Sequence, residues 1–253
     1  MAILHSLQFG YGNPKTIVFL GSIGSTAQMW TPQLDAFAPT HHVIALDHRG
    51  HGESKVIDKP CTIQDMANDV LDTLDALGVR HFGVVGLSLG GAVAQYLAAN
   101  SERVTRTVLM CTSANFADPE VWAKRIRIAK ERGTKALADD IVARWFTPNY
   151  AEQHLATVAA FRRMLAQTDD TGYIRCCEAL ADFDFSDQLS NISAPVLAIA
   201  GANDQGTPPA ELEAIADGVG GPSMLQVISP GSHILNVEAA SDVNRLLRRH
   251  FVV

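Results

Sequence analysis

Several features that mark protein classes are scarce in this sequence. Only four cysteines occur among 253 residues, Cys61, Cys111, Cys176 and Cys177. None forms a C-x-x-C pair, so neither a disulfide framework nor a zinc site is expected, and the thiols read as reduced. Positive charge is in deficit: 20 Lys and Arg stand against 27 Asp and Glu, a formal charge of -7. Nucleic-acid binders concentrate positive charge, so no nucleic-acid partner is expected. No apolar run reaches the roughly 18 uncharged residues that a membrane-spanning helix needs, so no membrane partner is expected either. The opening residues MAILHSLQFGYGN lack a basic stretch, a sustained apolar core and a small-residue cleavage site, which points to a cytoplasmic protein. No repeat, low-complexity tract or Gly/Ser linker divides the chain. At 47% hydrophobic and 19% charged residues it is not disordered, and its length suits one α/β domain carrying an insertion.

What is present is an alternation of short apolar runs with helical patterns. The runs at 16–20, 43–46, 82–85, 104–110, 196–200 and 224–228 are rich in β-branched residues, as strands buried on both faces should be. Between the second and third, residues 62–77 place Met66, Val70, Leu74 and Leu77 on one helical stripe, with Thr62 as N-cap and Gly78 as stop. Further helices are expected at 90–100, 209–218 and 238–251, giving a mostly parallel central sheet flanked by helices. An antiparallel hairpin turning at residues 10–13 is expected to begin the chain. From 116 to 185 the strand signal disappears and helical patterns take over, including Trp122/Ile126 and Leu137/Ile141/Trp145. This stretch reads as a helical lid inserted into a core of residues 1–115 and 186–253. It is nearly neutral, so an anion-attracting surface is expected there rather than on the acidic core.

The chemistry is concentrated in three turns. Gly86-Leu87-Ser88-Leu89-Gly90 follows an apolar strand and opens a helix, the context that makes G-x-S-x-G a nucleophile elbow. The serine sits on a strained turn that demands small residues two positions away on either side, and Gly86 and Gly90 meet that demand. A phosphate-binding turn is the competing reading, but the P-loop lysine is missing. A serine hydroxyl needs a base, and of the nine histidines His233 stands in a Pro-Gly-Ser-His turn after the last strand. Asp204, at the carboxyl end of the 196–200 strand, is the expected orienting acid, with Asp118 as rival. The order Ser, Asp, His is the one used by α/β-hydrolases. Two backbone N–H groups, of Leu89 after the nucleophile and of Ile23 in the Gly21-Ser22-Ile23-Gly24 turn, are the expected oxyanion donors. His48 and His51 suggest a metal pair, but glycines interrupt any helix there and no third ligand is evident, so a structural loop is the expected reading and no metal or cofactor is expected.

Together, Gly86 to Gly91 (GLSLGG), Asp47 to Ser54 (DHRGHGES), Asp204 to Pro209 (DQGTPP) and the Gly231-Ser232-His233 turn resemble the α/β-hydrolase superfamily over essentially the whole chain. Within it, Trp30-Thr31-Pro32-Gln33, Arg144-Trp145-Phe146-Thr147-Pro148 and Cys176 to Asp184 (CCEALADFD) are similar to 3-oxoadipate enol-lactonases. One departure is Gly21, where those enzymes usually begin an Asn-Ser-Leu-Gly turn. The resemblance implies hydrolysis of a small anionic lactone in aromatic-compound catabolism. Arg144 would grip the substrate carboxylate while Trp145 shields it, with Arg162, Arg163 and Arg175 as the next basic candidates. A broad carboxylesterase or a cofactor-free perhydrolase would use the same residues, and a slow or non-catalytic ligand receptor of this fold is the reading from another class. Dehalogenases and epoxide hydrolases need an aspartate where Ser88 stands. Oligomeric state is not legible.

Overall fold

The computed structural model describes residues 2–116 and 118–251. Among these, the six apolar runs form β2 (Thr16–Leu20), β3 (His42–Leu46), β4 (Phe82–Leu87), β5 (Val104–Met110), β6 (Val196–Gly201) and β7 (Ser223–Ile228), and Ser6–Phe9, outside those runs, adds β1, in one sheet of order β1-β3-β2-β4-β5-β6-β7. Every pairing is parallel except that of β1 with β3. The central strands β4 and β6 are buried at every position, which is why they read as continuous apolar runs. β7 closes one edge and is largely exposed.

Helices cover both faces: α1 (Thr31–Phe37), α2 (Ile63–Ala76), α3 (Leu89–Asn100), then α4 (Pro119–Arg132), α5 (Ala138–Val142), α6 (Pro148–Gln153), α7 (Leu155–Gln167) and α8 (Asp170–Ala181), and finally α9 (Pro209–Gly218), α10 (Leu235–Glu238) and α11 (Ala240–Phe251). The α2 stripe buries Met66, Val70 and Leu74. Thr62 caps it as expected. Its hydroxyl accepts from Asp65 N at 3.1 Å, and the Asp65 carboxylate accepts from Thr62 N at 2.8 Å, closing a capping box. The helices α4 to α8 all lie between β5 and β6, with α4 packed on α8. An Asn115–Asp184 bridge joins the two ends of this stretch.

Two expectations fail. The turn at residues 10–13 does not form a hairpin, because β2 already has β3 and β4 on its two sides and β1 can pair only at the outer edge of β3, with Ser6 opposite Leu46. The helix expected at 238–251 is broken at Ala239, whose φ of -119° and ψ of 41° lie outside the helical region. The break leaves Glu238 at the end of a separate short helix.

The topology also says where a ligand should bind. From β2 the chain steps outward to β3, then crosses back to β4 on the other side of β2, so the connections leave β2 and β4 in opposite directions. A crevice opens at such a switch point, outside the carboxyl ends of the strands. Here those ends carry the 21–24 turn, after β2, and Ser88, after β4.

Candidate active site

Ser88 has φ 57° and ψ -115°, a conformation that L residues rarely adopt, between β4 and α3. The surrounding backbone enforces it. Ser88 N donates to Met110 O at 3.0 Å, Ser88 O accepts from Thr112 Oγ1 at 2.8 Å, and Gly90 N donates to Gly21 O at 3.0 Å. A Cβ on Gly86 would run into the Gly90 carbonyl, and one on Gly90 into the Leu20 carbonyl, so the two glycines are required by close backbone approach.

His233 Nδ1 lies 2.7 Å from Asp204 Oδ2. Asp204 also accepts from Gly206 N at 2.9 Å, Thr207 N at 3.2 Å and Thr207 Oγ1 at 2.7 Å. Burial alone would push this carboxyl up, but the His233 charge and hydrogen bond, with the Thr207 donors, outweigh it and hold Asp204 down at about 2. An ionised carboxylate only accepts, so His233 Nδ1 donates the hydrogen bond and Nε2 is the ring nitrogen left for Ser88. Ser88, His233, Asp204 and Ile23 all line one cavity of about 540 Å³. Asp118, the rival acid, also lines it but is exposed and caps α4, accepting from Glu120 N at 3.1 Å.

Leu89 is the first residue of α3, and its N–H belongs to the group at a helix N-terminus that has no partner within the helix. The α3 dipole favours negative charge at that point. The 21–24 turn across the crevice is held from below by the two histidines that suggested a metal pair. His48 Nε2 donates to Gly21 O at 3.0 Å, and His51 Nε2 accepts from Gly24 N at 2.9 Å while its Nδ1 donates to Arg49 O at 3.1 Å. Burial pushes His48 down to about 4, with the neighbouring His51 adding to the effect, and burial lowers His51 too, so both rings are neutral near pH 7. With these nitrogens bonded to backbone groups, the pair supports the turn, and no group of three or more potential metal ligands occurs among the described residues.

The helical insertion forms the opposite wall. Arg144 and Trp145 both line the cavity, Arg144 exposed and Trp145 buried. Arg162 is paired with Asp139, Arg175 with Asp58 and Glu178, and neither they nor Arg163 line the cavity.

The alpha/beta hydrolase fold family model matches residues 15–240. The chain belongs to that family. It is a hydrolase enzyme, similar to 3-oxoadipate enol-lactonase 2 of Acinetobacter baylyi, 35% identical over 242 residues that cover 95% of this chain and 90% of the relative. Among solved structures, the enol-lactonase from Burkholderia xenovorans LB400 superposes with a TM-score of 0.96 at 34% identity, covering 99% of this chain and 96% of that one. Est816, an N-acyl homoserine lactone degrading enzyme, matches with a TM-score of 0.86 at 26% identity, covering 98% of this chain and 96% of the other.

Three groups at the cavity have no role assigned from the sequence alone. Arg125 lines the cavity, half-buried, with its guanidinium 4.9 Å from the centre of the Trp122 ring, which also lines the cavity. No carboxylate pairs with Arg125 among the described residues. In the sequence Trp122 reads as part of an apolar stripe, and an arginine three residues after a tryptophan on one helix face is the available signal. Gly206 and Thr207 brace Asp204, and here the signal was the Asp-x-Gly-Thr spacing of a local side-chain turn. Glu211 reaches the cavity wall, where it accepts a hydrogen bond from Ser113 Oγ; nothing local marked it.

Proposed function

We propose that this hydrolase opens the lactone ring of 3-oxoadipate enol-lactone to give 3-oxoadipate, in the degradation of aromatic compounds through protocatechuate and catechol, by a Ser-His-Asp acyl-enzyme mechanism. The observation that carries the mechanism is the pairing of an ionised Asp204 with His233 Nδ1 on the same cavity as a strained, helix-capping Ser88. The substrate reading rests on the relatives' named activity and on two guanidinium groups, of Arg144 and Arg125, that line the cavity with no carboxylate partner among the described residues.

In this mechanism His233 Nε2 takes the Ser88 proton as Oγ attacks the lactone carbonyl. The tetrahedral oxyanion is held by the N–H groups of Leu89 and Ile23. Collapse breaks the ring C–O bond and expels an enolate, which resonance stabilises and which stays tethered to the acyl-enzyme; the imidazolium returns its proton to it. Water, deprotonated by His233, then cleaves the Ser88 ester. Asp204 stays ionised throughout, fixing the tautomer. Arg144 and Arg125 offer bidentate donors to the substrate's free carboxylate, and Trp145 and Trp122 keep water from that pairing.

The test is a rate comparison of purified protein on the enol-lactone against p-nitrophenyl acetate, with Ser88→Ala beside it. Preference for the lactone, and loss of several orders of magnitude on both substrates in the variant, are expected, since removing a triad serine costs roughly 10⁶-fold. Preference for the neutral ester would replace this reading with a broad carboxylesterase. A variant keeping more than about a tenth of the rate would remove Ser88 as nucleophile.

A further inference from the structure

The turn that carries His233 is bonded to the insertion as well as to the sheet. Ser232 Oγ donates to Arg144 O at 2.9 Å and Ile234 N donates to Trp145 O at 3.0 Å. The residues on either side of His233 therefore hold, by their carbonyls, two of the insertion residues that line the cavity. A carboxylate closes the same junction. Glu238 Oε2 accepts from Ser232 N at 3.0 Å, while Oε1 accepts from Thr147 N at 3.1 Å and from Thr147 Oγ1. Thr147 in turn is the N-cap of α6.

Three donors converge on one half-buried side chain from segments about 90 residues apart. An ionised carboxylate is the side chain suited to that point, because it offers several acceptor positions and no donor. Its bonds are charge-assisted, hence stronger than bonds between neutral groups. None of the three donors is satisfied by regular secondary structure. The break at Ala239 is what leaves Glu238 free to turn back toward them.

From this we infer that Glu238 is a positioning residue, which fixes the register of His233 through the Ser232 N–H and ties that register to Arg144 and Trp145 through Thr147. The histidine turn and the insertion wall of the cavity then shift together. This rests on the reading of Ser88, His233 and Asp204 as the catalytic groups, but not on the identity of the lactone.

The experiment measures covalent labelling of Ser88 by a neutral alkyl fluorophosphonate, together with p-nitrophenyl acetate turnover, in the intact protein and in Glu238→Gln, Glu238→Ala and Thr147→Val. Glu238→Gln keeps the shape but turns one acceptor into a donor that faces donors. Labelling and kcat are expected to fall roughly 10- to 100-fold in Glu238→Gln, the scale of a displacement of about 1 Å in a catalytic group, with KM for the neutral ester little changed. Thr147→Val, which cuts only the insertion side, is expected to lose less. The low-field proton resonance of His233 Nδ1–H should shift or broaden in Glu238→Gln, which a merely stabilising role would not cause. Folded variants that label at the wild-type rate with that resonance unmoved would overturn the inference. If Glu238→Ala does not fold, Glu238→Gln and Thr147→Val carry the test. A wild-type protein that does not label at Ser88 would instead overturn the catalytic reading beneath it.

Discussion

Replacing Ser88 by glycine should make the protein more stable than replacing it by alanine, although either change removes the nucleophile. The reason is the backbone at that position: φ 57° with ψ -115° is open to glycine and costly to any residue with a Cβ. Holding a non-glycine residue in such a region costs about 1–3 kcal/mol, and alanine inherits that cost from serine unchanged. Glycine escapes it but orders more freedom on folding, which takes back about 0.5–1 kcal/mol. The methyl group that alanine keeps and glycine lacks takes back less than the about 0.8 kcal/mol of a fully enclosed methylene, because Ser88, though buried, stands on a cavity wall. A net advantage of about 1 kcal/mol for Ser88→Gly remains, which for a chain of this size raises Tm by about 2–4 °C. Thermal melts of the two variants at equal concentration, checked by urea midpoints, measure it. If Ser88→Gly melts at or below Ser88→Ala, the elbow stores no strain in the native state, and the demand for glycines around it has another cause.

Other outcomes follow from the same geometry. Arg144→Ala should lower kcat/KM for the enol-lactone by about 2–4 kcal/mol, roughly 30- to 1,000-fold, and leave p-nitrophenyl acetate nearly untouched; equal loss on both would assign Arg144 to the structure of the insertion. Arg125→Ala should show the same selectivity with a larger loss, since a half-buried guanidinium is screened less by solvent than an exposed one. Acidification should destabilise the fold well before the Asp204 carboxylate, held down at about 2, is protonated: His48 is lowered from 6.5 to about 4 by burial, so the unfolded chain binds the extra proton first. That contribution is whole above about pH 6.5 and is lost as pH falls toward 4, amounting to about 3 kcal/mol for this ring alone, with His51 acting in the same direction. Urea midpoints at pH 7 and pH 4.5 check it, and His48→Asn should reduce the difference without abolishing it, because His51 and His250 are lowered by burial too. Chelators should leave the rate unchanged because the ring nitrogens that hold the 21–24 turn are already bonded to backbone groups; inhibition by EDTA that zinc reverses would reopen the metal reading.

What was legible in the sequence, and what was not, divides by how local the cause is. Ser88 was legible because an elbow needs glycines at fixed offsets, and the collisions that a Cβ would meet at Gly86 and Gly90 are the physical content of that spacing. The strands were legible because β4 and β6 are buried throughout and leave no polar face to confuse the pattern. The first hairpin was misread since turn chemistry at residues 10–13 says only that the chain reverses, while pairing was decided by β3 and β4 already flanking β2. His48 and His51 illustrate a different ambiguity: two histidines three apart look alike whether they bind a metal or a turn 27 residues upstream. Arg125 and Glu238 were invisible for a further reason. Each matters only through neighbours brought close by the fold, Arg125 through an opening shared with Ser88, Glu238 through donors from Thr147 and Ser232. The groups that carry a bond-making role need particular local backbone and leave a motif behind. Those that orient the groups or select the substrate need only arrive at the right place, and an arginine or glutamate on a helix is not distinguished from a solvated one until the sheet has set the distance between them.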